Sequence, residues 1–232
     1  MPGKKGTLFI VSTPIGNLAD ITFRAVKTLK TVSFIAAEDT RRTRKLLNHF
    51  DIKTKLISYY EHNRFARIPQ ILKHLESGKD VAVVTDAGTP GVSDPAYKLI
   101  RSVIQVDVKV EPIPGPSAFL TALVASGLPT DRFLFVGFLP PKKGRRKKLS
   151  DLASHEATLI FYENPKRVVK TLLDIAIYLG DRPAVVGREL TKVHEEIIRG
   201  TISELLSYYS RESPKGECVI MIGKDDPNVY FG

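Results

Sequence analysis

The run Asp86-Ala87-Gly88-Thr89-Pro90-Gly91-Val92-Ser93-Asp94-Pro95 directly follows the apolar stretch Val81-Ala82-Val83-Val84, the pattern of a ligand loop at a strand end. Glycine and alanine let backbone amides come close to a ligand, Pro90 and Pro95 stiffen the path, and Ser93 or Asp94 can cap the helix that follows. A helix starting there directs its N-terminus at the bound group. Two more expected strand ends carry similar loops: Ser12-Thr13-Pro14-Ile15-Gly16-Asn17 after Leu8-Phe9-Ile10, and Pro114-Gly115-Pro116-Ser117-Ala118 after Val108-Lys109-Val110. In a parallel sheet such loops gather on one edge, so the three point to one shared pocket rather than to unrelated turns.

The charge pattern adds a second chemistry. The net charge is +10, and Lys142-Lys143-Gly144-Arg145-Arg146-Lys147-Lys148 places six basic residues in seven. Arg41-Arg42-Thr43-Arg44-Lys45 forms another basic cluster just after an expected strand end. A polyanionic partner, nucleic acid first, fits both runs. No aromatic residues interleave them, so no base-stacking platform is read there.

The elements that position these residues follow from the apolar pattern. Strands are expected near 7–12, 32–37, 55–58, 80–85 and 107–112, with helices near 22–30, 40–49, 64–77, 94–105 and 116–126. The apolar runs in the strands are continuous, as in a parallel sheet covered on both faces. Residues 127–131 break the pattern and are read as a linker between an N-terminal α/β domain, 1–126, and a C-terminal one, 132–232. In the second half, strands are expected at 133–136, 158–162, 184–187, 193–199 and 218–222, with helices near 145–154, 165–179 and 201–210. Short connections there favour a mixed sheet. The fold class is α/β, two domains with a ligand cleft between them, and residues 225–232 read as a loose tail.

With 232 residues and 43% hydrophobic composition, the chain can bury one large core or two modest ones. It shows neither a membrane-length apolar run nor a signal-peptide pattern, so a soluble, cytoplasmic protein without a membrane partner is expected. The single cysteine, Cys218, sits in an apolar run and reads as a buried strand residue; no metal-ligand spacing is present.

The ordered motifs Val11-Ser12-Thr13-Pro14-Ile15-Gly16-Asn17-Leu18, Ala37-Glu38-Asp39-Thr40-Arg41, Glu61-His62-Asn63, residues 85–95 and Pro114-Gly115-Pro116-Ser117-Ala118 resemble the tetrapyrrole methylase superfamily. Within it they are similar to the bacterial small-subunit ribosomal RNA cytidine-2′-O-methyltransferase branch. Phe161-Tyr162-Glu163-Asn164-Pro165 and Gly187-Arg188-Glu189-Leu190-Thr191-Lys192 extend the match into the second half. The resemblance implies a class III methyltransferase that uses S-adenosyl-L-methionine, works as a homodimer without a metal, and methylates a ribose 2′-hydroxyl of a cytidine in the decoding region of 16S ribosomal RNA, in the 30S subunit. By the same match, Pro14, Asp86, Ala87, Gly88, Val92, Ser93, Ser117, Ala118, Phe138 and Asn164 would bind the donor. The chain departs from the family after Pro165, where Lys166 stands in place of a histidine ahead of Arg167.

Transfer to a ribose hydroxyl needs alignment and a group that accepts the proton or stabilises the alkoxide. Glu38, Asp39, Glu61, His62 and Lys192 are the candidates, and spacing does not choose among them. Arg41, Arg42 and Arg44, with Lys142, Lys143, Arg145, Arg146, Lys147 and Lys148, would hold RNA phosphates. A Rossmann dehydrogenase or methyltransferase is disfavoured because the first strand ends without G-x-G-x-x-G. A small acidic porphyrinoid acceptor and a catalytically silent RNA-binding module stay open, and donor binding separates the last from the enzymes.

Overall fold

Apolar runs that do not alternate with polar residues build the first half of the chain around a parallel sheet. In the computed structural model, residues 4–211 and 214–231 are described. The elements run β1 (Thr7–Val11), α1 (Phe23–Thr31), β2 (Phe34–Ala37), α2 (Thr40–His49), β3 (Leu56–Ser58), α3 (Arg64–Glu76), β4 (Val81–Val84), α4 (Ala96–Gln105) and β5 (Lys109–Ile113). The strands lie in the order β3-β2-β4-β1-β5, all parallel, with Leu8 opposite both Val81 and Val110.

Side chains on successive strand residues point to opposite faces, so β4 serves two cores. Val81 and Val83 pack with Ile71 and Leu75 of α3 and Leu99 and Val103 of α4. Ala82 and Val84 pack with Ala25 and Leu29 of α1 and Leu47 of α2. Local chemistry starts the helices. Thr22 Oγ1 accepts the Ala25 N–H (3.1 Å) ahead of α1, and Asp39 Oδ1 accepts the Arg41 N–H (2.8 Å) ahead of α2.

The second half comprises α5 (Ala118–Ser126), β6 (Phe133–Phe138), α6 (Arg145–Leu152), β7 (Thr158–Glu163), α7 (Val168–Leu179), β8 (Pro183–Arg188), β9 (Glu196–Thr201), α8 (Ile202–Arg211) and β10 (Cys218–Ile222). Its sheet, β6-β7-β10-β8-β9, is mixed: β6 and β7 are parallel and the other neighbours antiparallel. Leu149, Leu172, Ile175 and Leu205 from three helices cover Phe161, Val186 and Ile220. Cys218 is buried at the start of β10. Among the described residues no helix is long and apolar enough to cross a membrane.

The chain divides into two compact units, Met1–Ser117 and Ala118–Gly232. Residues 127–131, read as a linker, are packed within the second unit: Leu128 is buried and the Thr158 hydroxyl donates to Pro129 O (2.7 Å). β9 begins at Glu196 rather than at 193, because Glu189 (φ 50°) and Thr191 (φ 66°) turn the chain through left-handed backbone first. The expected loose tail is tied down, with Val229 buried and the Tyr230 hydroxyl donating to Asp181 O (3.1 Å) and Asp225 Oδ1 (2.9 Å); Gly232 lies outside the described residues.

Ile220 is fully buried in the strand between β7 and β8, so Ile220→Ala should destabilise the protein by about 2–5 kcal/mol, read from urea unfolding midpoints.

Candidate functional site

All five loops that leave the carboxyl ends of the parallel strands share one edge of the first unit, and three of them are fastened together. Thr13 N–H donates to Gly88 O (2.9 Å) and Gly88 N–H returns to Thr13 O (3.0 Å), joining the loops after β1 and β4. The Ser12 and Thr89 hydroxyls share a hydrogen bond (2.9 Å), and Thr89 Oγ1 donates to Pro116 O (3.1 Å), which adds the loop after β5. At Gly115 the backbone lies so close to Ser12 that an added Cβ would stand 2.9 Å from the Ser12 Cβ. Gly88 (φ 83°), Gly91 (φ 94°) and Ser93 (φ 64°) take left-handed backbone, so the loop after β4 turns its amides sharply along the edge. Asp94 holds that turn by accepting from Gly91 N–H (2.8 Å) and Ala96 N–H (2.7 Å), and burial pushes its carboxyl up from the usual range.

Within this edge the structure gathers Pro14, which is buried, with Asp86, Ala87, Gly88, Val92, Ser93 and Ser117. Ser12, Thr85 and Thr89, which fasten the loops, were not singled out from the sequence. Their only signal was a hydroxyl residue next to each strand end.

A carboxylate links β2 to the same site. Asp86 Oδ1 accepts the Asp39 N–H (2.9 Å), and its Oδ2 lies 3.5 Å from Arg42 Nη1. Burial raises the Asp86 pKa, the Asp39 N–H opposes the rise, and Glu38 adds to it. Glu38 Oε2 accepts from the Thr85 hydroxyl (2.7 Å). Asp39 behaves oppositely: hydrogen bonds from the Arg41 side chain and backbone hold its carboxyl at about 2.

The loop after β3 carries the next two candidates. Tyr59 is buried, its hydroxyl donates to Pro95 O (3.1 Å), and burial pushes its pKa up to about 12. Glu61 pairs with Arg64, while His62 is exposed with its ring 6.2 Å from that of Tyr60.

The remaining candidates lie in the second unit. Phe138 is exposed, with its ring 5.6 Å from that of Tyr162. Asn164 Oδ1 accepts the Lys166 N–H (3.0 Å) and so caps the turn after β7. Lys192 binds Glu189 (2.7 Å) and Glu217 (3.1 Å); burial alone would lower its pKa, but these bonds outweigh that effect and raise it. Ala118 opens α5. Lys142, Lys143, Arg146, Lys147 and Lys148 are exposed.

Arg145 departs from its expected role among the phosphate-binding residues. It is only 5% exposed, its Nε donates to Asp174 Oδ2 (2.6 Å) and its Nη2 to the Thr171 hydroxyl (2.8 Å). Its guanidinium anchors α6 to α7. The sequence hid this because a cationic run gives no sign of which member turns inward.

The architecture is that of an α/β protein with small-residue loops fastened together on the carboxyl edge of a parallel sheet. The chain belongs to the Tetrapyrrole (Corrin/Porphyrin) Methylases, whose family profile matches residues 7–206. It is 52% identical over 224 residues to "Ribosomal RNA small subunit methyltransferase I" of Halalkalibacterium halodurans, covering 96% of this chain and 78% of that one. It is 47% identical to the protein of the same name from Thermotoga maritima, over 95% of this chain and 100% of that one. Among solved structures, a cobalt precorrin-4 methyltransferase of cobalamin biosynthesis shares the fold, with a TM-score of 0.69, 20% identity and 94% of each chain covered.

The two carboxylates give opposite pH signatures. Asp39, depressed from 3.8 to about 2, contributes stability that is complete above about pH 4 and is lost as pH falls toward 2. Asp86, with its pKa raised, favours the folded state at low pH and loses that contribution as pH rises through its folded value. Asp39→Asn should therefore flatten the acid limb of the stability curve between about pH 4 and 2, measured by urea midpoints across pH, whereas Asp86→Asn should leave that limb in place.

Proposed function

We propose that this chain transfers the methyl group of S-adenosyl-L-methionine to the ribose 2′-hydroxyl of a cytidine in the decoding region of 16S ribosomal RNA. It would do so on the 30S subunit, in the cytoplasm, as a homodimer. The observation that carries the reading is the juxtaposition, on one sheet edge, of three fastened small-residue loops and an arginine-bearing helix. The relatives named for small-subunit ribosomal RNA support the acceptor.

The residues present fit such a donor. It offers an adenine, a ribose diol and an amino-acid end, which call for backbone hydrogen-bonding groups, a carboxylate and little side-chain bulk. The left-handed loop at Gly88, Gly91 and Ser93 supplies the first and last, and Asp86 supplies the carboxylate. Pro14, Ala87, Val92 and Ser117 complete this set, while Ala118, Phe138 and Asn164 keep the assignment that the resemblance gives them. When bound, the donor brings a methyl carbon already activated by a sulfonium, so catalysis is largely alignment of the attacking oxygen.

The chain's own groups then differ in fitness as proton acceptors. Asp39, held near 2 and committed to Arg41, is a poor base. Glu61 is engaged by Arg64 and Lys192 by two carboxylates, which leaves Lys192 a cation suited to stabilising negative charge. Glu38, beside the raised Asp86, and the exposed His62 are the acceptors to test first. Arg41, Arg42 and Arg44, with Lys142, Lys143, Arg146, Lys147 and Lys148, would hold RNA phosphates.

Labelled S-adenosyl-L-methionine incubated with unmodified 30S subunits and with naked 16S RNA should place label in RNA. Calorimetric donor binding with label in neither RNA would overturn the acceptor, and absence of donor binding would overturn the transferase. Thr89→Val removes the hydroxyl that touches both Ser12 and Pro116, and should weaken donor binding about five- to tenfold by calorimetry. Arg44→Ala should leave donor affinity intact and reduce the slope of log affinity for RNA against log salt by about 0.7.

A further inference from the structure

The basic runs carry no aromatic residues in sequence, but the loop that leaves β3, the neighbour of β2, carries exposed ones on the same sheet edge. β2 and β3 are neighbours, with Ala37 opposite Ser58 and the Tyr59 N–H donating to Ala37 O (2.8 Å). From that shared rung one chain runs into Asp39, Arg41, Arg42 and Arg44, and the other into Tyr60, His62, Arg64 and Phe65. Arg42 in turn reaches Asp86 in the candidate donor site (3.5 Å).

Single exposed apolar residues on a surface need no explanation, but two large rings lie here within six residues of one loop and helix start. Phe65 is 78% exposed and Tyr60 41%, while Tyr59 between the strand and the loop is buried. The Tyr60 and His62 rings meet edge to face at 6.2 Å, and the Arg64 guanidinium carbon stands 4.9 Å from the Phe65 ring centre. The backbone beneath them is fixed. Asn63 Oδ1 accepts the Tyr60 N–H (2.9 Å), and its Nδ2 donates to Ser58 O (3.2 Å) and Oγ (3.1 Å). Exposed rings on a hydrogen-bonded backbone are what unpaired bases stack upon.

We infer that Tyr60 and Phe65 form a stacking platform for unpaired nucleobases flanking the target nucleotide, on the same sheet edge as Arg41 and Arg44. The +10 charge selects a polyanion over an apolar segment, and the exposed rings of Tyr60 and Phe65 favour RNA, whose unpaired bases stack, over an acidic protein segment as the occupant. The inference rests on the ribosomal RNA reading and names how that RNA is held.

The test uses a single-stranded RNA 12-mer without self-complementarity, carrying 2-aminopurine, and its duplex form. Tyr60→Leu and Phe65→Leu keep apolar bulk but remove stacking, and each should weaken single-strand binding at least about fivefold. Both should diminish the quenching of 2-aminopurine and leave the salt slope unchanged, while Tyr60→Phe retains wild-type affinity. Duplex binding should be unaffected by either leucine variant. Wild-type affinity and quenching in both leucine variants would overturn the platform, as would failure of the wild-type protein to bind the single strand. Loss of label transfer to 16S RNA with ring-dependent binding intact would instead count against the methyltransfer reading alone.

Discussion

Two reciprocal hydrogen bonds between Thr13 and Gly88 are the constraint on which the site depends. β1 and β4 lie side by side, but α1, which follows β1, packs on one face of the sheet and α4, which follows β4, on the other. Their loops therefore leave in opposite directions at the strand ends, the place where open α/β sheets bind ligands. Without the bridge, only side-chain hydrogen bonds would hold the two loops together. With it, and with Thr89 reaching both Ser12 and Pro116, the three loops are fastened to one another, a preorganisation that would lower the ordering cost of a ligand bound there.

Asp86 extends that frame to β2. One carboxylate oxygen fixes the backbone at Asp39, where α2 begins, and the other attracts Arg42. Burial and the neighbouring Glu38 make this carboxylate harder to ionise, and Arg42 partly offsets them. Under the proposed reading, Asp86 would couple donor chemistry to polyanion recognition. A solved methyltransferase that acts in cobalamin biosynthesis shares the fold at 20% identity, so the fold alone does not choose the acceptor.

Much of this was legible in the sequence, for a physical reason. Continuous apolar runs such as Val81-Ala82-Val83-Val84 mark strands buried on both faces, and small residues after them mark the loops. What escaped depends on which way a side chain turns. Arg145 reads as one more surface cation, but Asp174 and Thr171 draw it inward. The hydroxyls of Ser12, Thr85 and Thr89 look like ordinary loop residues until strand order brings them together. Tyr60 and Phe65 sit far from the arginines in the chain and reach the same sheet edge only because β3 pairs with β2. Strand order is a non-local property, and periodicity carries none of it.

The most direct test of the account is mass spectrometry of the nucleosides released from 16S RNA after reaction with the protein and S-adenosyl-L-methionine. The account predicts one new product, a cytidine methylated on its ribose 2′-oxygen, and its loss in Asp86→Ala. A methyl group on a base, or none on RNA while a small acidic acceptor is methylated instead, would contradict it.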